Sequence, residues 1–200
     1  MHISEGVLNP EILIGGAIIS IAIGLYALKT LKNEDIPIVA VFSALFFIGS
    51  FVHIPIGPTS VHLVLNGIIG AILGVRAFLA IGIALLLQGI LFGFGGVTSL
   101  GVNTLNIALP AVLVYYLFRV NTQNLLLKNI KYFLVGFLAV GLSATMLSLS
   151  LALNGEAFYD VAKLAFISNM PIMIIEGLIT MFAINFLQKI YPEILQGSTI

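Results

Sequence analysis

The chain has 200 residues, of which 60% are hydrophobic and 8% charged, with a formal net charge of zero. A soluble domain carries about 25% charged residues, so this composition cannot clothe a soluble surface and fits a bilayer instead. Zero net charge offers no basic face to nucleic acid, and the absence of Cys excludes disulfides, thiolate metal sites and cysteine nucleophiles.

The chain opens Met1-His2-Ile3-Ser4-Glu5-Gly6, with no basic stretch ahead of the first apolar run. It therefore reads as a retained span rather than a cleaved signal peptide. Apolar runs bounded by charges and turn residues predict helices over Glu11–Leu28, Ile36–Ile54, Val61–Val75, Ala77–Leu91, Leu105–Phe118, Tyr132–Leu153 and Ala165–Leu187. The expectation is an all-α polytopic membrane bundle of about seven transmembrane helices in one domain, residues 1–200. Several of these runs fall short of the roughly 20 residues that a perpendicular span needs, which suggests that Gly-rich backbone dips into the bundle.

Basic residues argue the orientation. With the N-terminus outside, Lys29, Lys32, Arg76, Arg119, Lys128, Lys131 and Lys189 face the cytoplasm, and only Lys163 lies outside. The positive-inside rule then favours an outer N-terminus and a cytoplasmic C-terminus.

The histidines are His2, His53 and His62. A His at position two offers a metal the Met1 amine, its own amide and its imidazole in succession, a donor set suited to tetragonal Ni(II) or Cu(II). The plain alternative is a frayed, solvated terminus. In Phe51-Val52-His53-Ile54-Pro55-Ile56-Gly57-Pro58-Thr59-Ser60-Val61-His62, two Pro and a Gly break the helix. This predicts His62 in the first turn of the next helix, with Ser60 as cap or imidazole partner. An interfacial histidine bonded to a carbonyl is the plain alternative for His62 and the favoured reading for His53.

The Gly-rich stretch from Gln88 to Asn106 permits a tight uncharged loop whose Asn and Thr satisfy backbone or face a metal path. It lacks the Gly-Lys-Ser/Thr of a phosphate loop. Glu176 stands alone in an apolar run, where a charge costs roughly 2.5–3.5 kcal/mol on insertion scales. It is open to being protonated, to pairing with Arg76 or Arg119, or to serving as an outer partner of a polar loop, and structural pairing ranks above metal ligation for it. Small residues at spacing four, Gly16, Ser20 and Gly24 on the first helix and Ala40 and Ala44 on the second, allow close helix approach.

Four stretches together, Met1-His2-Ile3 with Gly6, Ile54 through Leu63, Gln88 through Asn106 and Ile174 through Thr180, resemble the CbiM/NikM family. These are the substrate-binding subunits of cobalt and nickel energy-coupling-factor transporters. The resemblance implies a seven-helix subunit whose terminus enters an outward pocket, where Met1, His2 and His62 bind Co(II) or Ni(II) as transported substrate. No organic cofactor is implied. The implied partners are a transmembrane coupling subunit, two ATPase subunits and a small accessory membrane subunit, with the Ala40–Ala44 face against the coupling protein. Ser4 stands where Pro is commoner, and Phe94 where an acidic residue is frequent. The expected function is cation capture for an ATP-driven importer in the cell membrane, with no enzymatic activity. An intramembrane enzyme using Ser60 and His62, and a non-catalytic scaffold, are the alternatives.

Overall fold

The computed structural model describes residues 2–56 and 59–196. A tail, residues 2–9, leads into helix α1 (Pro10–Thr30). Then come α2 (Ile36–Gly49), a hairpin of β1 (His53–Ile56) and β2 (Thr59–His62), α3 (Asn66–Leu73), α4 (Ala77–Phe92), α5 (Leu100–Arg119), α6 (Leu125–Ala152), α7 (Tyr159–Ile190) and the short α8 (Glu193–Gln196). The helix-bundle expectation holds. Among the described residues, five helical stretches are long and apolar enough to cross a membrane: Pro10–Thr30, Asn66–Phe92, Leu100–Arg119, Leu125–Ala152 and Glu156–Ile190.

The hairpin corrects the expected helix bounds. α2 stops at Gly49, and α3 begins at Asn66 rather than Val61, so His62 lies on a strand and not in a helical first turn. Pro55 and the β-branched Ile54, Ile56, Thr59 and Val61 favour extended backbone over helix. The register pairs His53 with His62 and Ile56 with Thr59. α5 starts at Leu100, five residues before its expected start at Leu105, so Asn103 and Thr104 are helical rather than in a loop.

α3 is a half-length helix with all eight residues buried, packed against α5, α6 and α7. A Cβ on Gly70 would strike the backbone of Ala111, so only glycine lets α3 lie this close to α5. Gly74, at φ +56°, turns the chain from α3 into α4. The turn is held by a buried ion pair, Arg76 Nη1 to Asp35 Oδ1 at 3.1 Å. Arg76 therefore serves the α2–α3 end of the bundle and not Glu176. Arg119 lies over the Tyr115 ring, 4.9 Å from its centroid.

The main core gathers Phe46, Ile69, Ile81, Ile107, Ile172 and Ile184 between the helices. α1 sits at the periphery, with Ile14, Ile18, Ile21 and Leu25 outward, as a helix facing lipid rather than water should. It is tied inward where Gly16 meets Val102 and where the Ser20 hydroxyl donates to Gly101 O at 2.6 Å. Ala40 and Ala44 are exposed and line an apolar groove between α2 and α4.

A candidate metal centre at the N-terminal tail

The tail threads into the bundle instead of fraying. Ile3 N–H donates to Asn103 Oδ1 at 2.9 Å, and Asn103 Nδ2 returns a bond to Ile3 O at 3.0 Å. The Ser99 hydroxyl also donates to Ile3 O, at 2.9 Å. Further along, Asn154 accepts from Asn9 N–H at 2.6 Å and donates to Val7 O at 2.7 Å. Ile3 and Leu8 are buried with Val102, Leu147 and Leu151 in a second apolar cluster. The loop joining α4 to α5 admits the tail because Gly95 and Gly96 carry positive φ and no side chain. A Cβ on Gly95 would reach 2.7 Å from Asn103 Nδ2, and one on Gly96 would run into Glu5.

Glu5 accepts a hydrogen bond from Thr98 N–H at 3.0 Å. Main-chain donors of Thr98 and Val97 hold its carboxyl below the usual glutamate range.

This docking brings His2 and His62 together. Their rings stack with centroids 5.0 Å apart and planes 24° from parallel. Each ring has one nitrogen engaged by an acceptor. His2 Nε2–H donates to Gln88 Oε1 at 3.0 Å, while Gln88 Nε2 donates to Ser50 Oγ at 2.8 Å and Ser50 in turn to Phe47 O at 2.7 Å. His62 Nδ1–H donates to Leu63 O at 2.9 Å. In these tautomers the ring lone pairs lie on Nδ1 of His2 and Nε2 of His62. Nδ1 of His2 is also the nitrogen that closes a six-membered chelate with the amide of the same residue. Phe94 tilts over His2 with centroids 6.3 Å apart, and joins Phe47, Phe51 and Phe92 in an aromatic cluster at this end of the bundle.

Of the expected ligands, His2 and His62 converge, and Met1 lies outside the described residues. The side chains of His53 and Ser60 do so too, and only their backbone is placed. Among the described residues no three His, Cys, Asp or Glu side chains group as a metal site. Sequence reasoning missed the orienting role of Gln88 and the tail clamps Ser99 and Asn154. A buried amide in an apolar helix was the available signal for Gln88.

Glu176 is fully buried and meets neither Arg76 nor Arg119. Its carboxylate accepts from Val64 N–H at 2.5 Å and from Leu65 N–H at 2.9 Å, just ahead of α3. None of the partners expected for it is met: neither arginine reaches it, and the stretch it holds, Leu63-Val64-Leu65, is apolar in its side chains rather than a polar loop.

Residues 2–194 match the family described as the cobalt uptake substrate-specific transmembrane region. A Haemophilus influenzae protein assigned to metal transport is 39% identical over 199 residues, covering 98% of this chain and 97% of its own. A cobalt transport protein CbiM of Thermosipho melanesiensis is 31% identical over 207 residues, covering 94% and 87%. The crystal structure of a truncated transition metal transporter superposes with a TM-score of 0.80 at 24% identity, covering 94% of this chain and 99% of that one, a likeness of fold. With its fold, its length and nearly all its residues matched, the chain belongs to the cobalt uptake substrate-specific transmembrane family, a family of membrane transport components and not of enzymes.

Proposed function

We propose that this chain is the capture subunit of an ATP-driven importer for Co(II) or Ni(II). The cation would sit in a plane of four nitrogens: the Met1 amine, the His2 amide, His2 Nδ1 and His62 Nε2. The observation that carries this reading is the approach of His2 and His62, with each tautomer set by a hydrogen bond. Imidazoles in adjacent corners of a square plane, with metal–nitrogen bonds of about 2.0–2.1 Å, have centroids roughly 4.5 Å apart. The observed centroid separation of 5.0 Å is of that order. Two neutral imidazoles suit nickel and cobalt alike, so cargo choice is left to the fit around them.

The tail, the hairpin and the α4–α5 loop share one end of the bundle, and Asp35 and Arg76 mark another. Together with the Lys and Arg distribution, this supports an outward-facing seat. The 200 residues carry no phosphate-loop motif, which supports hydrolysis by separate ATPase subunits, reached through a transmembrane coupling subunit and accompanied by a small accessory membrane subunit. The exposed Ala40–Ala44 face is the surface proposed for the coupling subunit.

The test is metal content in protein tagged only at its C-terminus. Wild type should hold one Ni(II) or Co(II) per chain, His2→Ala and His62→Ala none, and His53→Ala one. Full occupancy in His62→Ala would overturn the proposal. Reconstituted alone in liposomes, the chain should show no ATP-dependent uptake.

A further inference from the structure

We infer that Glu176 is a positioning residue that orients the His62 imidazole through a single peptide group. The inference rests on the proposed seat only for its consequence in metal binding.

The Leu63–Val64 peptide is engaged at both ends. Its N–H, on Val64, donates to Glu176 Oε1, and its carbonyl, on Leu63, accepts from His62 Nδ1–H at 2.9 Å. A peptide unit is planar and rigid, so a carboxylate that fixes the N–H also fixes the direction of the C=O. That direction in turn sets the plane and tautomer of the imidazole. In metal sites generally, an outer carboxylate or carbonyl on the non-ligating ring nitrogen performs this task. Here the carboxylate and the carbonyl act in series, and hydrogen bonds in such a chain polarise one another in a dry interior.

The surroundings require such a hold. Residues 63–65 belong to neither strand nor helix, and α3 has no side-chain cap of its own at Leu65. Leu65 adopts φ +56°, the only positive φ at a non-glycine among the described residues and one that a bulky L-residue seldom keeps unaided. Glu176 grips this residue as well, with Leu65 N–H at 2.9 Å from Oε1 and 3.1 Å from Oε2. The next residue, Asn66, is tied to Ile107 O at 3.1 Å and Ser143 Oγ at 2.9 Å, which fixes α3 but not the chain before it. Between that fixed helix and His62, Glu176 is the anchor from α7. Its place in an apolar helix, with no cation on it among the described residues, follows from this task.

The experiment uses the full chain in lipid nanodiscs, free at its N-terminus, with Ni(II) as probe. Wild type, Glu176→Gln, Glu176→Asp, His2→Ala and His62→Ala are compared. Nitrogen NMR of the metal-free protein should show His62 as the Nδ1–H tautomer in wild type and as a tautomer mixture in Glu176→Gln. Ni(II) affinity should fall about 10- to 100-fold in Glu176→Gln, the range for loss of an outer-shell partner. Glu176→Asp, which keeps the charge with a shorter reach, should recover part of both; it also carries the test if the Gln variant does not fold. An unchanged His62 tautomer in the folded variant overturns the inference. Unchanged Ni(II) binding in both His2→Ala and His62→Ala overturns the proposed seat instead, and the tautomer measurement still decides the role of Glu176.

Discussion

Replacing Asn103 by Ala removes the two-way clamp on Ile3 while leaving the metal's proposed ligands in the chain. The lost contacts are Ile3 N–H to Asn103 Oδ1 at 2.9 Å and Asn103 Nδ2 to Ile3 O at 3.0 Å. Each contributes about 0.5–1.5 kcal/mol net, and a buried group left unpaired costs about 1–3 kcal/mol. The Ser99 hydroxyl, set against both Ile3 O and Gly95 O, can turn its one hydrogen to Ile3 O, so the group left unpaired is the Ile3 N–H. The docked tail is then weakened by about 2–4 kcal/mol. Undocked, the same groups are solvated, so the whole loss falls on the docked state. At 1.4 kcal/mol per factor of ten, this bounds the fall in metal affinity at roughly 30- to 1000-fold. Asn103→Asp keeps the acceptor but loses the donor, and should fall between Ala and wild type. The assay is Ni(II) competition against a chelator, with hydrogen exchange of residues 2–9 measured in parallel. An Ala variant with wild-type affinity and undiminished protection of the tail would refute the clamp as the support of His2.

Gly70→Ala pushes a methyl into the Ala111 backbone, and the variant should lose about 1–3 kcal/mol or more by overpacking, seen as a lower melting temperature in detergent. Asp35→Asn leaves Arg76 buried without its anion and should cost about 3–5 kcal/mol, read the same way, with Ni(II) stoichiometry retained in the surviving folded fraction. Glu5 is held below the usual glutamate range in the docked tail, so its contribution is complete above that range and fades as pH falls through its lowered value. Hydrogen exchange of the tail should therefore quicken on acidification, and Glu5→Gln should flatten that response. Adding one Gly before Met1 displaces the amine by about 3.3–3.6 Å while Ile3 stays clamped. Calorimetry should show loss of the bundle-held metal in a normally folded protein.

Periodicity and composition made the bundle legible, because the bilayer demands long apolar helices and the charged residues mark their ends. They set the expected bounds of α6 and α7 too narrowly. Lys128 and Lys131, and Asp160 and Lys163, are helical, since charged ends can extend beyond the apolar core without leaving the helix. The hairpin was half legible: Pro55, Gly57 and Pro58 announced a break, but nothing local said that the strands would continue to His62. The cap of α3 lay beyond sequence reasoning, because its carboxylate comes from residue 176 and its left-handed turn falls on a leucine. His2 and His62 were singled out by position, segment and family resemblance, and the fold brings their rings together. Gln88 was not, since its role appears only when α4 brings it beneath the tail.

The partners of the tail carry a consequence for biosynthesis. Residues 2–9 are made well before the residues that hold them, Gln88, Thr98, Ser99, Asn103 and Asn154. This segment thus lacks its full set of partners until residue 154 has been translated. Contacts this distant in sequence form late, after the loop they close has been paid for in entropy. A nascent chain arrested before residue 154 should expose residues 2–9 to proteases, and release past that point should protect them.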